Sequence, residues 1–404
     1  MPTLRFPGFT DEWQKKNLDE LLEFYSTNSL SWEQLKYDGG DIFNLHYGLI
    51  HVGLPTLVDS SKYNLPTIKK DEFLPRKYEL VKEGDVAFAD ASEDTNEVAK
   101  AIEFTNTDGN QIVCGLHTIH ARDKANSTVV GFKGFYFSSP AFHNQVRKLA
   151  QGTKIFSVST KILSECSVSL PSKDEQTKIA NLLSLLDERI ELQSKLIYKL
   201  QSLIKGLNQQ LLTKCDSWNT YQLKDIALIK SGYSGTQINA ETPYKVSRIE
   251  TISQHYIDMQ RIGYVQEVPK NYKLNIGDIL FSNINSVQYI GNTAYIDKEY
   301  DLYHGMNLLR IVPNATIVLP RFLHLLFCTR KAINHFQTIC NKAVSQASIN
   351  QTDLGKSQFA IPTMETQHKI CQIFEGVKNK IENEQLILIQ QKQQKESLLK
   401  QLFI

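Results

Sequence analysis

The chain has 404 residues, 41% of them hydrophobic and 22% charged, with a net charge of +2 when histidines are neutral. That length suits two or more domains, the composition is that of an ordinary globular chain, and so small a net charge means that any nucleic-acid surface must be local. No run of about 18 apolar residues occurs to span a membrane, the opening MPTLRFPGFTDEW lacks the apolar stretch of a secretion signal, and the six cysteines form no CxxC pair, which argues against a zinc module and for reduced thiols in the cytoplasm.

Residues 1–20 form a polar lead-in carrying Trp13, Leu18 and Leu21. Residues 30–170 read as mixed and mostly strand. Pieces rich in Val, Ile, Phe and Tyr are punctuated by turns at Asp38-Gly39-Gly40, Lys82-Glu83-Gly84-Asp85 and Asp108-Gly109. The run Glu83 to Phe88 predicts a tight turn feeding a buried strand. Residues 140–150 predict a short helix opened by Pro140, whereas Gly131-Phe132-Lys133-Gly134 reads only as a turn.

From Pro171 to Lys214 the pattern changes. Ile179, Leu183, Leu186, Ile190, Ile197, Leu200, Ile204, Leu207 and Leu211 recur at alternating steps of four and three, with Gln193 as one polar interruption. This is a heptad seam, and Gln193 reads as a register-fixing residue. Ser172 and Glu175 have the spacing of a capping box. At about 1.5 Å per residue such a helix runs on the order of 60 Å, and its single seam calls for a partner helix. Gly206 interrupts it, read as a point of close helix approach.

A shift of 191 residues supplies the partner. Pro171, Gln176 and Ile179 become Pro362, Gln367 and Ile370. The seam continues through Phe374, Val377, Ile381, Leu388, Leu398 and Leu402, with a more polar middle. Thr366 stands where Glu175 stood, so Thr363 is left to cap the second helix alone. Trp218, Leu223 and Ile226 repeat the entry spacing of Trp13, Leu18 and Leu21, Gly277-Asp278 repeats Gly84-Asp85, and 319–341 repeats the helix at 140–150 at greater length. The predicted fold is therefore α+β, a tandem pseudo-two-fold repeat. It comprises a strand-rich domain at 1–170, a spacer helix at 171–214, a second strand-rich domain at 215–361 and a second spacer helix at 362–404, the two helices antiparallel.

A search for catalytic chemistry finds no Asp/Glu-x-Lys triple, no Pro-Pro dipeptide, no GxGxxG after a strand and no GxxxxGK[ST]. His117 and His120 have metal-ligand spacing but no carboxylate or cysteine set beside them, and read as surface or core residues. Candidate nucleic-acid contacts are scattered. Lys230-Ser231-Gly232-Tyr233 is a hydroxyl-rich loop suited to phosphate, or a plain surface turn. Lys245 and Arg248 lie on a short strand, where Arg248 is a base-edge reader or a buried structural arginine. Asn283, Asn285 and Ser286 suit adenine edges, or an ordinary turn. Lys69, Lys70, Arg76 and Lys77, with Arg122 and Lys124, form charge clusters that contact phosphate or only solvent.

These residues together resemble a family: the specificity subunits of type I restriction-modification systems. The carriers are LRFPGFTDEW, Arg248-Ile249-Glu250-Thr251-Ile252, Gly277-Asp278-Ile279-Leu280-Phe281-Ser282, Pro171 with Glu175 to Ile179, and Ile361-Pro362 with Gln367 and Ile370. The tandem order of variable region and helix, twice over, is the specific part. The resemblance implies two target recognition domains, each reading one half of a split duplex DNA site. It implies that the helices set the spacing and dock two methyltransferase subunits, with motor and restriction subunits joining the complex. It implies no catalysis and no cofactor in this chain; S-adenosylmethionine, and ATP with Mg2+ for restriction, belong to the partners. Location in the cytoplasm, away from membrane, follows. The reading from another class is a coiled-coil assembly scaffold with no role in reading DNA.

Overall fold

The structure, a computed structural model, describes residues 2–37, 39–72, 78–94, 97–150, 155–212, 217–342 and 346–404. It divides into two compact units, Met1–Lys195 with Gln385–Ile404, and Leu196–Glu384. The boundary falls inside both long helices, Lys173–Leu211 and Met364–Leu402. Each unit therefore contains the opening of one helix and the end of the other.

In the first unit the lead-in becomes a strand. Gln14–Asn17 pairs antiparallel with Ser167–Leu170, so the start of the domain is bonded to the residues that feed the helix. A five-stranded sheet follows, in the order Leu22–Tyr25, Thr118–Asp123, Val86–Ala89, Ala101–Asn106, Leu57–Asp59. A smaller sheet orders Gln111–Cys114, Ile42–Leu45, Thr67–Ile68 and Leu35–Lys36. Val86–Ala89 is buried along its whole length, as the preceding turn at Gly84 predicts. Pro140–Leu149 is the expected helix, with proline in its first turn.

One expectation needs correction here. Gly131 to Gly134 is the start of a buried helix, Phe132–Phe137. Phe132, Phe135, Tyr136 and Phe137 all enter the main core, and that burial outweighs the low helix propensity of glycine. Gly134 suits its place because a Cβ there would lie 2.8 Å from Leu57 and 3.1 Å from the Glu103 side chain. Lys133 pairs at 3.0 Å with Glu103, both buried.

The second unit repeats the plan. Asn219–Gln222 pairs with Gln358–Ile361, and a four-stranded sheet orders Ala227–Ser231, Leu308–Pro313, Ile279–Ser282 and Thr293–Tyr295. The single long helix expected over 319–341 is two helices, Pro320–Phe327 and Arg330–Ile339, broken where the Thr329 hydroxyl accepts from the Ala332 amide as an N-cap. They correspond to Phe132–Phe137 and Pro140–Leu149.

The helix seams behave as their periodicity requires. Every seam position is buried or half-buried, from Ile179, Leu183 and Leu186 through Gln193 to Leu211, and from Ile370 and Phe374 to Leu402. Within the first unit Ile179 and Leu183 share a core with Leu399, Leu402 and Phe403. Lys395 bonds Asp187 at 2.5 Å, the order of contacts an antiparallel pair gives. In the second unit Ile204, Leu207 and Leu211 join Ile370 and Phe374 in one core. Gly206 does not serve close approach, because a Cβ there would meet nothing within 4 Å.

Both helices open on the same fastening. Gln176 accepts from the Val129 amide at 3.0 Å and donates to the Ser127 and Pro171 carbonyls. Gln367 accepts from the Leu319 amide at 2.7 Å and donates to the Ile317 and Pro362 carbonyls. The capping box at Ser172 is only half made. The Ser172 hydroxyl accepts from the Glu175 amide, but the Glu175 carboxylate is taken by Arg5 at 2.9 and 2.7 Å and by the Trp13 indole at 3.3 Å.

Candidate nucleic-acid interface

Each unit has one strand, second in its sheet and central in lying between two bonded neighbours, that approaches the helix at one end and leaves it at the other. Thr118–Asp123 leads into the loop that Gln176 bonds, and Leu308–Pro313 leads into the loop that Gln367 bonds. The far end of each six-residue strand thus lies on the order of 20 Å from the end that leads to the helix. There the two units present corresponding features.

In the second unit the far end gathers most of the sequence candidates. Ser231 pairs with Leu309 and Ser282 with Leu308, so the loops beginning at Gly232 and Asn283 leave the sheet together. Lys230 and Ser231, expected in a loop, are instead the last residues of the strand Ala227–Ser231, paired with Arg310 and Leu309, and Gly232-Tyr233 after them is not free. A Cβ on Gly232 would lie 1.7 Å from the Gly305 carbonyl, and one on Gly305 would lie 2.0 Å from the Ser247 carbonyl. Three backbones meet there, and only glycine permits the approach. The Tyr233 amide donates to the His304 carbonyl, and the Gly305 amide to the Ser247 hydroxyl. Lys230, Ser231 and Arg248 are exposed, while Gly232, Tyr233 and Lys245 are half-buried. Arg248 sits 3.5 Å from Glu250 and is not a core arginine. Asn283 donates to the Ile349 carbonyl of a neighbouring segment, while Asn285 donates to the Ser282 hydroxyl and accepts from the Ser286 amide, so both amides are engaged within the unit.

In the first unit the candidates separate. Lys69 and Lys70 are exposed just past Thr67–Ile68 of the smaller sheet; Lys69 donates to the Glu33 carbonyl, beside the exposed Trp32. Arg76 and Lys77 lie outside the described residues. Lys124 stands at the helix end of the central strand, bonded to the Asp19 carbonyl.

Arg122 is a structural residue. Its guanidinium donates to Asp85 twice at 2.8 Å, to Glu79 at 2.5 Å and to the Leu80 carbonyl at 2.9 Å. Asp85 also takes His120 at 2.8 Å and the Lys82 amide. Burial works against this carboxylate, but His120 and Arg122 hold it below the usual carboxylate range. Asp278 occupies the same turn in the second unit and pairs at 2.7 Å with Arg310, which stands at the strand position of His120. Burial pushes the Asp278 carboxyl up despite Arg310. His120 is thus a buried partner of Asp85, and no metal-holding cluster of His, Cys, Asp or Glu occurs among the described residues.

The residue just before each central strand escaped the sequence reading as a nucleic-acid contact. His117 has φ +55° and Asn307 has φ +64°, and both are exposed. His117 Nδ1 lies 3.0 Å from Asp90 Oδ1, and its ring meets Tyr47 edge-on at 5.2 Å. Tyr47 contacts His46, which contacts the exposed Trp32, so this ring system reaches the surface carrying Lys69. Setting the two repeats in register was the signal that locates both residues.

The comparisons decide the family. The model for the type I restriction modification DNA specificity domain matches residues 10–202 and again 216–391. The chain belongs to this family. A protein assigned as the type I restriction enzyme MjaX specificity subunit of Methanocaldococcus jannaschii is 38% identical over 196 residues, covering 46% of this chain and 46% of that protein. The HindI specificity subunit of Haemophilus influenzae is 33% identical over 125 residues, 30% of this chain and 27% of that protein. The chain thus spans about half the length, or less, of these curated relatives. The S subunit of a type I system from M. genitalium matches with a TM-score of 0.56 at 17% identity, over 100% of this chain and 99% of that one. A chain from work on complex assembly and conformational transition of the type I R-M system matches at 0.64 and 15% identity, over 97% of each. At such identities the structural matches speak for the fold. Among the described residues no helix of this family member is long and apolar enough to cross a membrane.

Proposed function

We propose that this chain is the DNA-recognition subunit of a type I restriction-modification complex, each unit reading one half of a bipartite duplex site. The observation that carries the reading is the duplication itself. Two units share four sheet strands in the same order, one entry strand pair and one helix fastening, and both turn exposed polar residues outward at the same sheet end. Two readers on a fixed spacer suit two half-sites at fixed separation. Affinity comes from phosphate contacts by exposed cations such as Lys69, Lys70, Lys230 and Arg248, and specificity from a few side chains in each unit.

Methyl transfer to adenine falls to partner methyltransferase subunits using S-adenosylmethionine, and restriction to motor subunits using ATP with Mg2+; this chain supplies neither chemistry. A second apolar stripe on the first long helix supports docking of such partners. Leu185 and Leu192 in the first unit, and Leu196 and Leu203 in the second, stand seven apart, off the seam and exposed. Isolated exposed leucines are ordinary, but a helix-period row of them is a docking face. The site of action is the cytoplasm.

The experiment is to map adenine methylation across the host genome with and without this gene. A split motif that loses methylation on deletion supports the reading and gives both half-sites. Binding of the purified complex to duplex DNA must also weaken linearly in log–log with salt, as counterion release requires. A complex with neither property would be the assembly scaffold instead.

A further inference from the structure

Six non-glycine residues of the described chain adopt left-handed backbone: Ala99, Asp108, His117, Asn126, His255 and Asn307. Only His117 and Asn307 occupy corresponding positions. Each immediately precedes the central strand, Thr118–Asp123 or Leu308–Pro313, and the first strand residue pairs with the last of the neighbouring buried strand: Thr118 with Ala89, Leu308 with Ser282. We propose that His117 and Asn307 are the specificity-determining base contacts of the two units, one for each half-site. This rests on the DNA-recognition reading above.

Two considerations carry the assignment. The first is strain. A left-handed non-glycine residue costs on the order of 1–3 kcal/mol and persists where its surroundings over-determine it. If only the turn mattered, glycine would make it without strain. Both repeats instead keep a polar side chain there, and both side chains are exposed, so core packing does not require them.

The second is chemistry. The asparagine amide offers a donor and an acceptor side by side, the pattern that matches adenine N7 and N6 in the major groove. His117 Nδ1 faces the Asp90 carboxylate at 3.0 Å. A neutral ring so held carries its proton on Nδ1 and offers Nε2 as an acceptor, the partner of the exocyclic amino group of adenine or cytosine. Tyr47 and Asp90 pre-set the ring, so little freedom is lost on contact.

The test uses the full chain in the complex it forms, a pool of random-sequence duplex DNA, and sequencing of the duplexes retained. His117→Gly and Asn307→Gly relieve the backbone and remove the side chain, so thermal stability should hold or rise. Each should lose preference at one position of one half-site, leave the other half-site untouched, and weaken binding to the wild-type site about ten- to a hundredfold. Asn307→Asp and His117→Asn keep the left-handed turn even if the glycine variants fold poorly, and Asn307→Asp should move the preference from adenine to cytosine. Folded variants that recover the wild-type motif unchanged would overturn the assignment and leave DNA reading standing. A wild-type complex that enriches no motif would overturn both.

Discussion

Gln176 and Gln367 make the same three hydrogen bonds, each accepting from one loop amide and donating to two carbonyls, one of them the proline that opens its helix. Both side chains are buried. The repeat is thus held at the level of individual bonds, and the bonds join each recognition unit to its helix. Replacing Gln367 by Leu should leave the Leu319 amide and the Ile317 carbonyl unpartnered. Unpaired buried groups cost about 1–3 kcal/mol each, so the second unit should lose about 2–4 kcal/mol, and Gln176→Leu should act likewise on the first. Denaturant unfolding followed by hydrogen exchange assigns each loss to its unit.

Arg122→Gln should destabilise the first unit by about 2–4 kcal/mol, because it strands the buried Asp85 carboxylate without its bidentate partner. The salt slope of DNA binding should not change, since a guanidinium committed to Asp85 and Glu79 releases no counterion from phosphate. A slope reduced by about one would show that Arg122 reaches DNA after all.

Acid should weaken the second unit first. Burial pushes His304 down to about 4 and His324 down to about 3, so both are neutral in the folded chain and protonate readily once unfolded. Their contribution is complete above the unfolded value of about 6.5 and is lost as pH falls toward 4, about 2 kcal/mol each at pH 5. Burial lowers His46 and His143 in the first unit too, though neither as far as His304 and His324, and Asp85, held below its ordinary range there, contributes until pH falls below about 4. Hydrogen exchange at pH 7 and pH 5 should show protection falling in 196–384 before it falls in the first unit. His304→Gln should flatten that dependence.

Phe403 meets Phe132 at 5.6 Å and Tyr136 at 5.5 Å and is buried in the first unit's core. Phe403→Ala should therefore cost the first unit about 3–5 kcal/mol, although the residue is 271 positions from Phe132 in sequence. Limited proteolysis should cut within residues 1–195 of the variant while the second unit resists.

The seams and the tandem plan were legible because they rest on period and repetition, which a sequence displays directly. What failed was competition between distant parts. Glu175 has capping-box spacing, yet Arg5, 170 residues away, outbids its own backbone with two charge-assisted bonds. Gly131 to Gly134 looks like a turn until four aromatic side chains find a core. Arg122 looked like half of a surface pair with Lys124, but strand alternation puts it on the face of His120, toward Asp85. That last signal was present in the sequence. The left-handed backbone at His117 and Asn307 was not, because histidine and asparagine are compatible with many conformations.

The core of the first unit is completed from far along the chain: Leu399, Leu402 and Phe403 fill it, and Tyr136 donates to the Ile404 carbonyl at 2.9 Å. A ribosome adding about 5–20 residues per second needs on the order of 10–40 s to pass from Lys195 to the segment that closes this core. Through that interval the emerging first unit has Phe132 and Tyr136 uncovered, while the second unit, whose helix segments lie within 196–384, can close earlier. The half that is synthesised first is the half that finishes folding last, and its exposed aromatic face is where chaperones would engage the nascent chain.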